Sequence, residues 1–370
     1  DSAEWAGFLD RMTNTVMHAV FETKSWRLFS LLFGFGFALQ STRIMSDPGG
    51  SVWVYVRRMV ILFGFGMLHA LFFDGDILMA YAMLGLILVP FRNVGGRKLL
   101  VLAAVLLAAF PLGNLVYTQT DLDLEDQWED SMSLSEQRFD HPYLDTLTEV
   151  FSENIAAIPP RIWTDLHSPE SSLAIFAMLL LGLRIGRSGI LNDIQSHLPL
   201  LRRVFVWGIC IGAGSALTEW SLKQNFDYAV FGETSAPRGV RLLGDVLFAY
   251  GSTALALAYA AGIVLLTRSL SFHGVLQSFQ NMGRMALTAY LSGTLMFTVL
   301  FYGYGFGRLF LLGPVKTALY AILFFAVQMA FCSWWLGRFR FGPAEWLWRS
   351  MTYMRLQPLL LKPEGESDGV

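Results

Sequence analysis

Residues 53–92 read WVYVRRMVILFGFGMLHALFFDGDILMAYAMLGLILVPFR, two apolar runs that meet at an Asp-Gly-Asp turn. Each run has roughly the length, about 17–25 residues, that a helix needs to cross the hydrocarbon core of a membrane. Asp74-Gly75 is a turn signal, and Asp76 is placed to cap the helix that follows it. The stretch therefore predicts a helical hairpin that crosses a membrane twice.

The rest of the chain repeats this apolar pattern. Of the 370 residues, 54% are hydrophobic and only 15% are charged, whereas a soluble domain carries roughly 25% charged residues. We therefore predict an all-α fold, a polytopic transmembrane helical bundle with about nine spans. The predicted spans are 17–41, 53–72, 76–92, 98–118, 171–186, 201–219, 244–267, 285–303 and 314–336. Because the net charge is −2, we expect no nucleic-acid partner.

The strongly basic connections between the predicted spans all fall on one side. Their basic residues include Arg57-Arg58, Arg202-Arg203 and, near the end, Arg338 and Arg340. Since cytoplasmic loops are enriched in Lys and Arg, this arrangement predicts a cytoplasmic C-terminus and an N-terminus outside. A chain that begins outside without a signal sequence is unusual. We therefore expect one further helix ahead of Asp1, and about ten spans in the full protein.

The predicted spans divide the chain into four parts. These are an N-terminal transmembrane part with a polar outer site (1–118), an acidic extracytoplasmic loop (119–170), a C-terminal transmembrane part (171–340), and a cytoplasmic interfacial helix and tail (341–370). The loop is expected to form a small cap over the outer face, with a helix over Thr146–Ile158 that Pro159-Pro160 stops. In the last part, Trp346 and Trp348 are expected at headgroup depth.

Glycine pairs mark several of the predicted spans. The motif Phe33-Gly34-Phe35-Gly36 recurs as Phe63-Gly64-Phe65-Gly66, and the pairs Gly182/Gly186 and Gly208/Gly212 have GxxxG spacing. Such positions form smooth helix faces that allow close packing. The alternative is a groove in which a chain-like ligand meets the backbone.

The first predicted span carries charges at membrane depth. Its apolar run, Leu28–Leu39, is too short to cross alone, so its helix must begin earlier. The added turns contain His18, Glu22, Lys24 and Arg27. Such charges are costly inside a membrane and usually face a cavity or a partner; the alternative is that they extend to the headgroups. At about 100° per residue, the first two share one face and the last two lie roughly opposite.

His69 and Asp76 form a second polar cluster. His69 lies about one turn inside the membrane, and a histidine oriented by Asp76 is an arrangement that makes a general base. A structural histidine with satisfied hydrogen bonds is the alternative. The candidate catalytic residues are thus His18, Glu22, His69 and Asp76. The outer span ends also carry Glu219, Lys223, Arg241 and Asp245, which we interpret as structural ion pairs.

Basic residues on the inner side are candidates for binding a phosphate. Arg57 and Arg58 lie near the start of their span. Asn281 with Gly283 would begin a helix whose N-terminus meets a phosphate, with Arg284 nearby. Anchoring at the cytoplasmic face would explain Arg284 equally well.

The sequence gives no indication of a metal site, a nucleotide site or a disulfide bond. The sequence contains no metal-ligand spacing, phosphate-binding glycine loop or dinucleotide fingerprint, and we predict no metal site. Cys210 and Cys332 lie inside apolar runs, so we expect buried, inert thiols rather than a disulfide.

Several spaced motifs resemble one known family, the YeiB-like multi-pass membrane proteins. They are Phe21-Glu-Thr-Lys24 with Leu28-Phe-Ser-Leu-Leu-Phe-Gly34, Arg57-Arg58, His69, Gly75-Asp-Ile-Leu78 with Tyr81, Gly283-Arg-Met-Ala-Leu-Thr288 with Tyr290, and Phe341-Gly-Pro-Ala-Glu-Trp-Leu-Trp-Arg349. The resemblance covers nearly the whole chain. It implies a protein of the bacterial cytoplasmic (inner) membrane, from a family of unknown function that is often labelled a transporter.

The family is similar, more distantly, to integral-membrane acyltransferases. In those enzymes an acyl-CoA approaches from the cytoplasm and the acceptor lies outside. The resemblance therefore implies acyl-CoA as donor and a small-molecule or lipid-linked acceptor. Membrane lipids and a second copy of the chain, in a homodimer, are further expected partners. The catalytic histidine of those enzymes falls in or just after the first helix, and His18 is the position here that would correspond to it.

Two main functions are consistent with these features. In an acyltransferase, His18 or His69 would deprotonate an acceptor hydroxyl or amine, and the acyl donor would enter through the glycine-lined bundle. The residues expected to bind substrate or donor are Lys24, Arg27, Tyr81, Arg57, Arg58 and Arg284. The alternative is a transporter or lipid-handling protein that uses the same polar groups as a relay. A structural membrane partner is a third interpretation.

Overall fold

A computed structural model describes residues 7–21, 24–46, 52–73, 75–117, 146–167, 169–226, 228, 236–268, 273–307 and 312–361. Within these ranges the chain is helical, and its only β-structure is an isolated bridge between Phe339 and Leu360. The helices are α1 (Phe8–Val16), α2 (Lys24–Ser46), α3 (Val52–Ala70), α4 (Leu78–Ile87), α5 (Gly96–Tyr117), α6 (Leu147–His167), α7 (Pro169–Arg187), α8 (Leu198–Phe226), α9 (Arg238–Leu266), α10 (His273–Arg284), α11 (Ala286–Phe301), α12 (Pro314–Leu336) and α13 (Pro343–Tyr353). The prediction of an all-α fold is confirmed.

Five described helices are long and apolar enough to cross a membrane, which indicates a membrane protein. They are α3, the first eighteen residues of α5, α8, α9 and α12. A sixth span is formed if α10 and α11, which meet at an angle of 83°, are counted together. Apolar side chains on α12 point away from the protein, with Leu319, Ile322 and Leu323 more than 60% exposed. Such a surface requires lipid or a partner against it.

Glycines allow α2 and α7 to cross with their backbones in contact. A Cβ atom on Gly34 would lie 2.0 Å from the carbonyl oxygen of Leu179, and one on Gly182 would lie 2.0 Å from that of Leu31. Gly186 likewise abuts Ala38. Close packing is therefore confirmed here, and the expectation of a glycine-lined passage for an acyl donor is wrong at this crossing, because the opposite helix already fills the space.

The other glycines divide into two groups. Gly208 and Gly212 on α8 meet Ala254, Ala258 and Leu255 of α9, where an added Cβ would also overlap its neighbours. In contrast, Gly36 and Gly64 have open space beside them. The two Phe-Gly-Phe-Gly motifs thus each contain one glycine that packs and one that does not.

Helix α6 covers the end of the α3–α4 hairpin. It begins with a capping box, in which the Thr146 N–H donates to Glu149 (2.7 Å) and the Glu149 N–H donates to the Thr146 hydroxyl (3.3 Å). Asn154 Nδ2 then donates to the Leu71 carbonyl in the hairpin turn (2.8 Å). The predicted helix start is correct, and the described part of the long loop packs on the hairpin.

The predicted end of this helix is wrong. Helix α6 continues through Pro159-Pro160 to His167. Each proline removes a hydrogen bond to the carbonyl four residues earlier. Those carbonyls belong to Ile155 and Ala156, which are both exposed, so solvent can satisfy them and the helix persists.

The N-terminal region differs from a single long first span. Helix α1 is followed by a π-helical turn, Met17–Phe21, and the described part of α2 begins at Lys24. Asp10 of α1 accepts a hydrogen bond from the Val315 N–H at the start of α12 (3.1 Å). Helix α1 therefore packs against the far end of the chain.

Both cysteines are free thiols, as expected. Cys332 is buried in α12, but Cys210 on α8 is exposed. The prediction that both are buried is therefore wrong for Cys210, because an apolar run does not show which helix face points outward.

Candidate active site

A buried histidine–aspartate pair lies where α3 ends and α4 begins. Nδ1 of His69 is 2.7 Å from Oδ1 of Asp76, and the two residues are only 6% and 2% exposed. The other carboxylate oxygen, Oδ2, accepts the backbone N–H of Met79 in the first turn of α4 (2.9 Å). Both the expected histidine–aspartate contact and the expected capping by Asp76 are confirmed.

The pair depends on a close approach between α3 and α4. A Cβ atom on Gly66 would lie 2.7 Å from the Met79 nitrogen and 3.0 Å from Oδ2 of Asp76. The absence of a side chain at Gly66 therefore lets the carboxylate reach the last turn of α3. This glycine belongs to the second Phe-Gly-Phe-Gly motif.

The hydrogen bond to Asp76 fixes the chemical role of each imidazole nitrogen. A carboxylate accepts hydrogen bonds, so Nδ1 of His69 carries the proton that it donates to Asp76. In the neutral ring, Nε2 then presents a lone pair. This nitrogen is buried and has no hydrogen-bond partner among the described residues. A buried polar atom without a partner costs about 1–3 kcal/mol, so a hydrogen bond donated to Nε2 would be favourable.

Aromatic rings surround the imidazole. The Tyr290 ring of α11 lies 4.8 Å from the His69 ring between centroids, and the Phe73 ring lies 5.9 Å away. Phe73 contacts Phe297, which contacts Phe301 one turn further along α11. The imidazole therefore lies among aromatic side chains where α3, α4 and α11 meet, and Nε2 is its one basic nitrogen.

Tyr81 connects this hairpin to α2. Its hydroxyl lies 2.7 Å from the Ser30 hydroxyl and 2.9 Å from the Trp26 carbonyl. Tyr81 is 1% exposed. The hydroxyl of this predicted substrate-binding residue is therefore bonded to protein groups on α2 rather than directed at the His69 imidazole.

Lys24 and Arg27, also on α2, are buried, at 7% and 3% exposure. Arg27 donates to the Ala249 carbonyl (2.5 Å) and to the Thr253 hydroxyl (2.7 Å), both on α9. These side chains face the protein interior, so the alternative in which they extend to the headgroups is not observed. Of the other candidates in this region, Glu22 and the side chain of His18 lie outside the described residues.

Arg57 and Arg58 hold helix α13 against α3. Arg57 donates to the Thr352 carbonyl (3.0 Å), and the Arg58 guanidinium lies 4.1 Å from the centre of the Trp348 ring. The Trp348 indole in turn donates to the Arg58 carbonyl (2.9 Å). Both predicted donor-binding arginines therefore have structural partners, and the indole of Trp348 bonds to protein.

The expected helix start at Asn281 is not observed. Asn281 lies in the last turns of α10, and α11 begins at Ala286. Two N–H groups in the first turn of α11, those of Leu287 and Thr288, already donate hydrogen bonds to Glu345 of α13 (2.6 and 3.0 Å). They are therefore not available to a phosphate. A carboxylate at a helix N-terminus is favourable. Arg284, the remaining candidate, is exposed and donates to the Arg340 carbonyl (3.4 Å).

This contact gives a stability prediction. Replacing Glu345 with glutamine is expected to lower the free energy of unfolding by about 1–3 kcal/mol, because bonds from three donors lose their charged acceptor. Thr288→Val removes the hydroxyl donor of the same network. Unfolding in detergent micelles should show that the two changes are not additive, with a coupling of about 0.5–3 kcal/mol. Strict additivity would contradict the contact.

Similarity to other proteins extends over most of the chain. A family model described as "Protein of unknown function (DUF418)" matches residues 185–355. The uncharacterized protein YxaH of Bacillus subtilis (strain 168) is 32% identical over 350 residues, 92% of this chain and 82% of YxaH. The uncharacterized protein YeiB of Escherichia coli (strain K12) is 30% identical over 370 residues, 97% of this chain and 90% of YeiB. The chain belongs to the YeiB-like family.

A further relative is an uncharacterized 39.9 kDa protein from the amylase 3′ region of Bacillus acidopullulyticus, 26% identical over 363 residues, 97% of this chain and 88% of that protein. No solved structure matches the YeiB-like chain.

The motifs that carry the YeiB-like resemblance meet in two places. His69, Gly75–Leu78 and Tyr290 meet around the imidazole, where the Tyr290 hydroxyl also accepts the Ile77 N–H (3.3 Å). Gly283–Thr288 and Phe341–Arg349 meet at the start of α11. Sequence reasoning did not include Tyr290 or Glu345 among the site residues. Both residues belong to the motifs that carry the resemblance, and this membership could have identified them as site residues.

Proposed function

We propose that the chain is an integral-membrane acyltransferase in which His69 is the general base. The observation that carries the proposal is the buried Nε2 nitrogen of His69, which has no described partner while Asp76 holds Nδ1. A hydroxyl or amine of an acceptor substrate would donate a hydrogen bond to Nε2. A base positioned this way typically contributes about 10²–10⁴-fold to a rate.

In the proposed reaction, Nε2 of His69 takes the proton of the acceptor O–H or N–H group. The acceptor oxygen or nitrogen forms a bond to the thioester carbonyl carbon of an acyl-CoA, and the C–S bond breaks. The CoA thiolate leaves with the electron pair and takes the proton from Nε2, which restores the neutral imidazole. Asp76 stabilises the transient imidazolium and keeps its orientation.

The environment of the base supports an acyl group as the transferred unit. Phe73, Phe297 and Phe301 form a continuous aromatic row beside the imidazole. An apolar wall next to a few placed polar groups is typical of sites for apolar ligands. An acyl chain would lie along the exposed part of this row, at Phe297, with its thioester at the His69 end.

We further propose that nine helices span the inner membrane: α2, α3, α4 with the 3₁₀ turn Val89–Asn93 that follows it, α5, α7, α8, α9, α11 and α12. Each corresponds to a predicted span, and the basic loop residues favour a cytoplasmic C-terminus. With that orientation, the hairpin turn and α6 lie outside. This supports an acceptor that reaches His69 from the extracytoplasmic side.

The test uses purified protein in lipid nanodiscs. Acetyl-CoA and palmitoyl-CoA serve as donor probes, and a bacterial envelope lipid extract supplies acceptors. We expect free CoA and an acylated product, both quantified by mass spectrometry. If neither donor is consumed, and proteoliposomes instead move a solute unchanged, the transporter alternative replaces this proposal.

A further inference from the structure

The C-terminal segment, residues 338–361, folds back onto the end of α12. The Arg340 N–H donates to the Leu359 carbonyl (2.8 Å), and the bridge between Phe339 and Leu360 lies beside this bond. Helix α13 lies between the two paired stretches. The last described residues of the chain therefore lie next to the point where α12 ends.

The tryptophans of this segment are bonded within the protein. The Trp346 indole donates to the Gln357 carbonyl (2.7 Å), and the Trp348 indole donates to the Arg58 carbonyl (2.9 Å). Both were expected at headgroup depth, but neither indole N–H is available to a lipid headgroup. Other side chains of the C-terminal segment must make any polar contact with lipid.

The returning stretch exposes large apolar side chains. Leu356 and Met354 are 80% and 76% exposed, more than any other large hydrophobic side chain in the described ranges, and Leu360 is 69% exposed. Leu360 pairs with Phe339, which lies three residues after α12 and whose ring stacks on that of Trp335 (4.2 Å between centroids). The exposed apolar face of α12 is therefore continued by the C-terminal segment. Such a surface indicates contact with a membrane or a partner.

Arginines accompany these apolar side chains. Arg355 lies between Met354 and Leu356 in the sequence, and the guanidinium of Arg338 lies 4.7 Å from the centre of the exposed Trp334 ring at the end of α12. The exposed arginines of the segment are Arg338, Arg340, Arg349 and Arg355. Within the part of the chain that the structure describes, none of the four forms an ion pair with a carboxylate. The surface thus combines apolar side chains with positive charge.

We infer that the C-terminal segment lies on an anionic phospholipid leaflet. Met354, Leu356 and Leu360 would enter the boundary of the acyl chains, and the arginines would contact the phosphates. This combination of exposed apolar side chains and cations is typical of segments that bind the surface of an anionic membrane. A second copy of the chain on the same surface would bring like charges together, which is unfavourable. The inference assigns no role to His69 and is independent of acyl transfer.

The inference is tested with a fluorophore at position 356 of the full chain in lipid nanodiscs. Leu356→Cys is labelled in a Cys210→Ser background, because the remaining Cys332 is buried. The bilayer mixes phosphatidylcholine and phosphatidylglycerol, and one of the two lipids carries bromine in its acyl chains, which quenches the fluorophore on contact. We expect quenching by both lipids, and stronger quenching by phosphatidylglycerol. A label at Asn192→Cys, an exposed polar position between α7 and α8, is the control and should not be quenched.

Replacing arginines identifies the source of the lipid preference. Arg338→Gln and Arg355→Gln should each lower the preference for phosphatidylglycerol by up to about 5-fold, the contribution of one basic residue at an anionic surface. Both side chains are exposed, so the fold should persist. Arg203→Gln, at an exposed arginine of α8, is the matched control and should leave the preference unchanged.

Three results would overturn the inference. The first is a label at position 356 that neither brominated lipid quenches. The second is equal quenching by the two lipids in the wild-type background, or a preference that survives both arginine replacements. The third is self-quenching between labels without quenching by lipid, which would show that a second copy of the chain covers the surface.

Discussion

His69→Gln is expected to lower the rate of acyl transfer by about 10²–10⁴-fold, the contribution of a positioned general base. Glutamine can still donate a hydrogen bond to Asp76 from its amide, so the α3–α4 contact and the fold should persist. It lacks a basic lone pair where Nε2 stands. The measurement is the single-turnover rate of CoA release in nanodiscs, with unfolding compared in parallel.

His197→Gln is the matched control. This histidine lies in the connection between α7 and α8, where it contacts Ser196 and Asp193, and its replacement should leave the rate unchanged. Loss of activity in His18→Gln together with full activity in His69→Gln would identify His18 as the general base and contradict the proposed role of His69.

Asp76→Asn should lower the rate of acyl transfer nearly as much as His69→Gln does, for a different reason. The asparagine amide can donate to Nδ1 of His69, which places the ring proton on Nε2 and removes the lone pair. Its oxygen can still accept the Met79 N–H, so α4 keeps its cap. A rate equal to wild type would show that Asp76 only caps the helix.

Gly34→Ala is expected to destabilise the protein by about 1–3 kcal/mol or more, the range seen for overpacked cores. The added Cβ would lie 2.0 Å from the Leu179 carbonyl oxygen. Because the neighbour is backbone, no side-chain rotation relieves the overlap, and α2 and α7 must separate. Denaturant unfolding in detergent micelles measures the loss.

Gly36→Ala supplies an internal comparison two residues away. Nothing lies within 4 Å of its added Cβ, and alanine is favoured over glycine inside a helix by about 0.5–1 kcal/mol. This variant should therefore be slightly more stable than wild type. Equal destabilisation by both changes would show that the α2–α7 contact is not as close as described.

The apolar runs predicted most of the helices, because crossing a membrane requires a long uninterrupted stretch of apolar residues. All nine predicted spans correspond to described helices, although only five helices, or six with the bent pair, meet a strict length and composition test. The His69–Asp76 contact was predictable since both residues flank one short turn. The burial of Lys24 and Arg27 followed from the cost of exposed charge in lipid.

Contacts between distant segments could not be predicted. Nothing in the local pattern shows that Glu345 reaches Thr288, 57 residues away, or that Arg57 and Arg58 hold α13. Local rules predicted that Pro159-Pro160 would end α6. The helix instead continues, because the carbonyls that lose their hydrogen bonds lie at exposed positions. A single sequence gives periodicity and charge, but pairings over such separations depend on the complete packing.

The central claim is that the protein transfers an acyl group using His69, and it can be tested before the substrate is identified. A bacterial strain lacking the protein is complemented with wild type, His69→Gln or His197→Gln, and the lipids and envelope polymers of each strain are compared by mass spectrometry. The account predicts a component heavier by one acyl group in the wild-type and His197→Gln strains and absent with His69→Gln. Identical spectra from all three strains would contradict it.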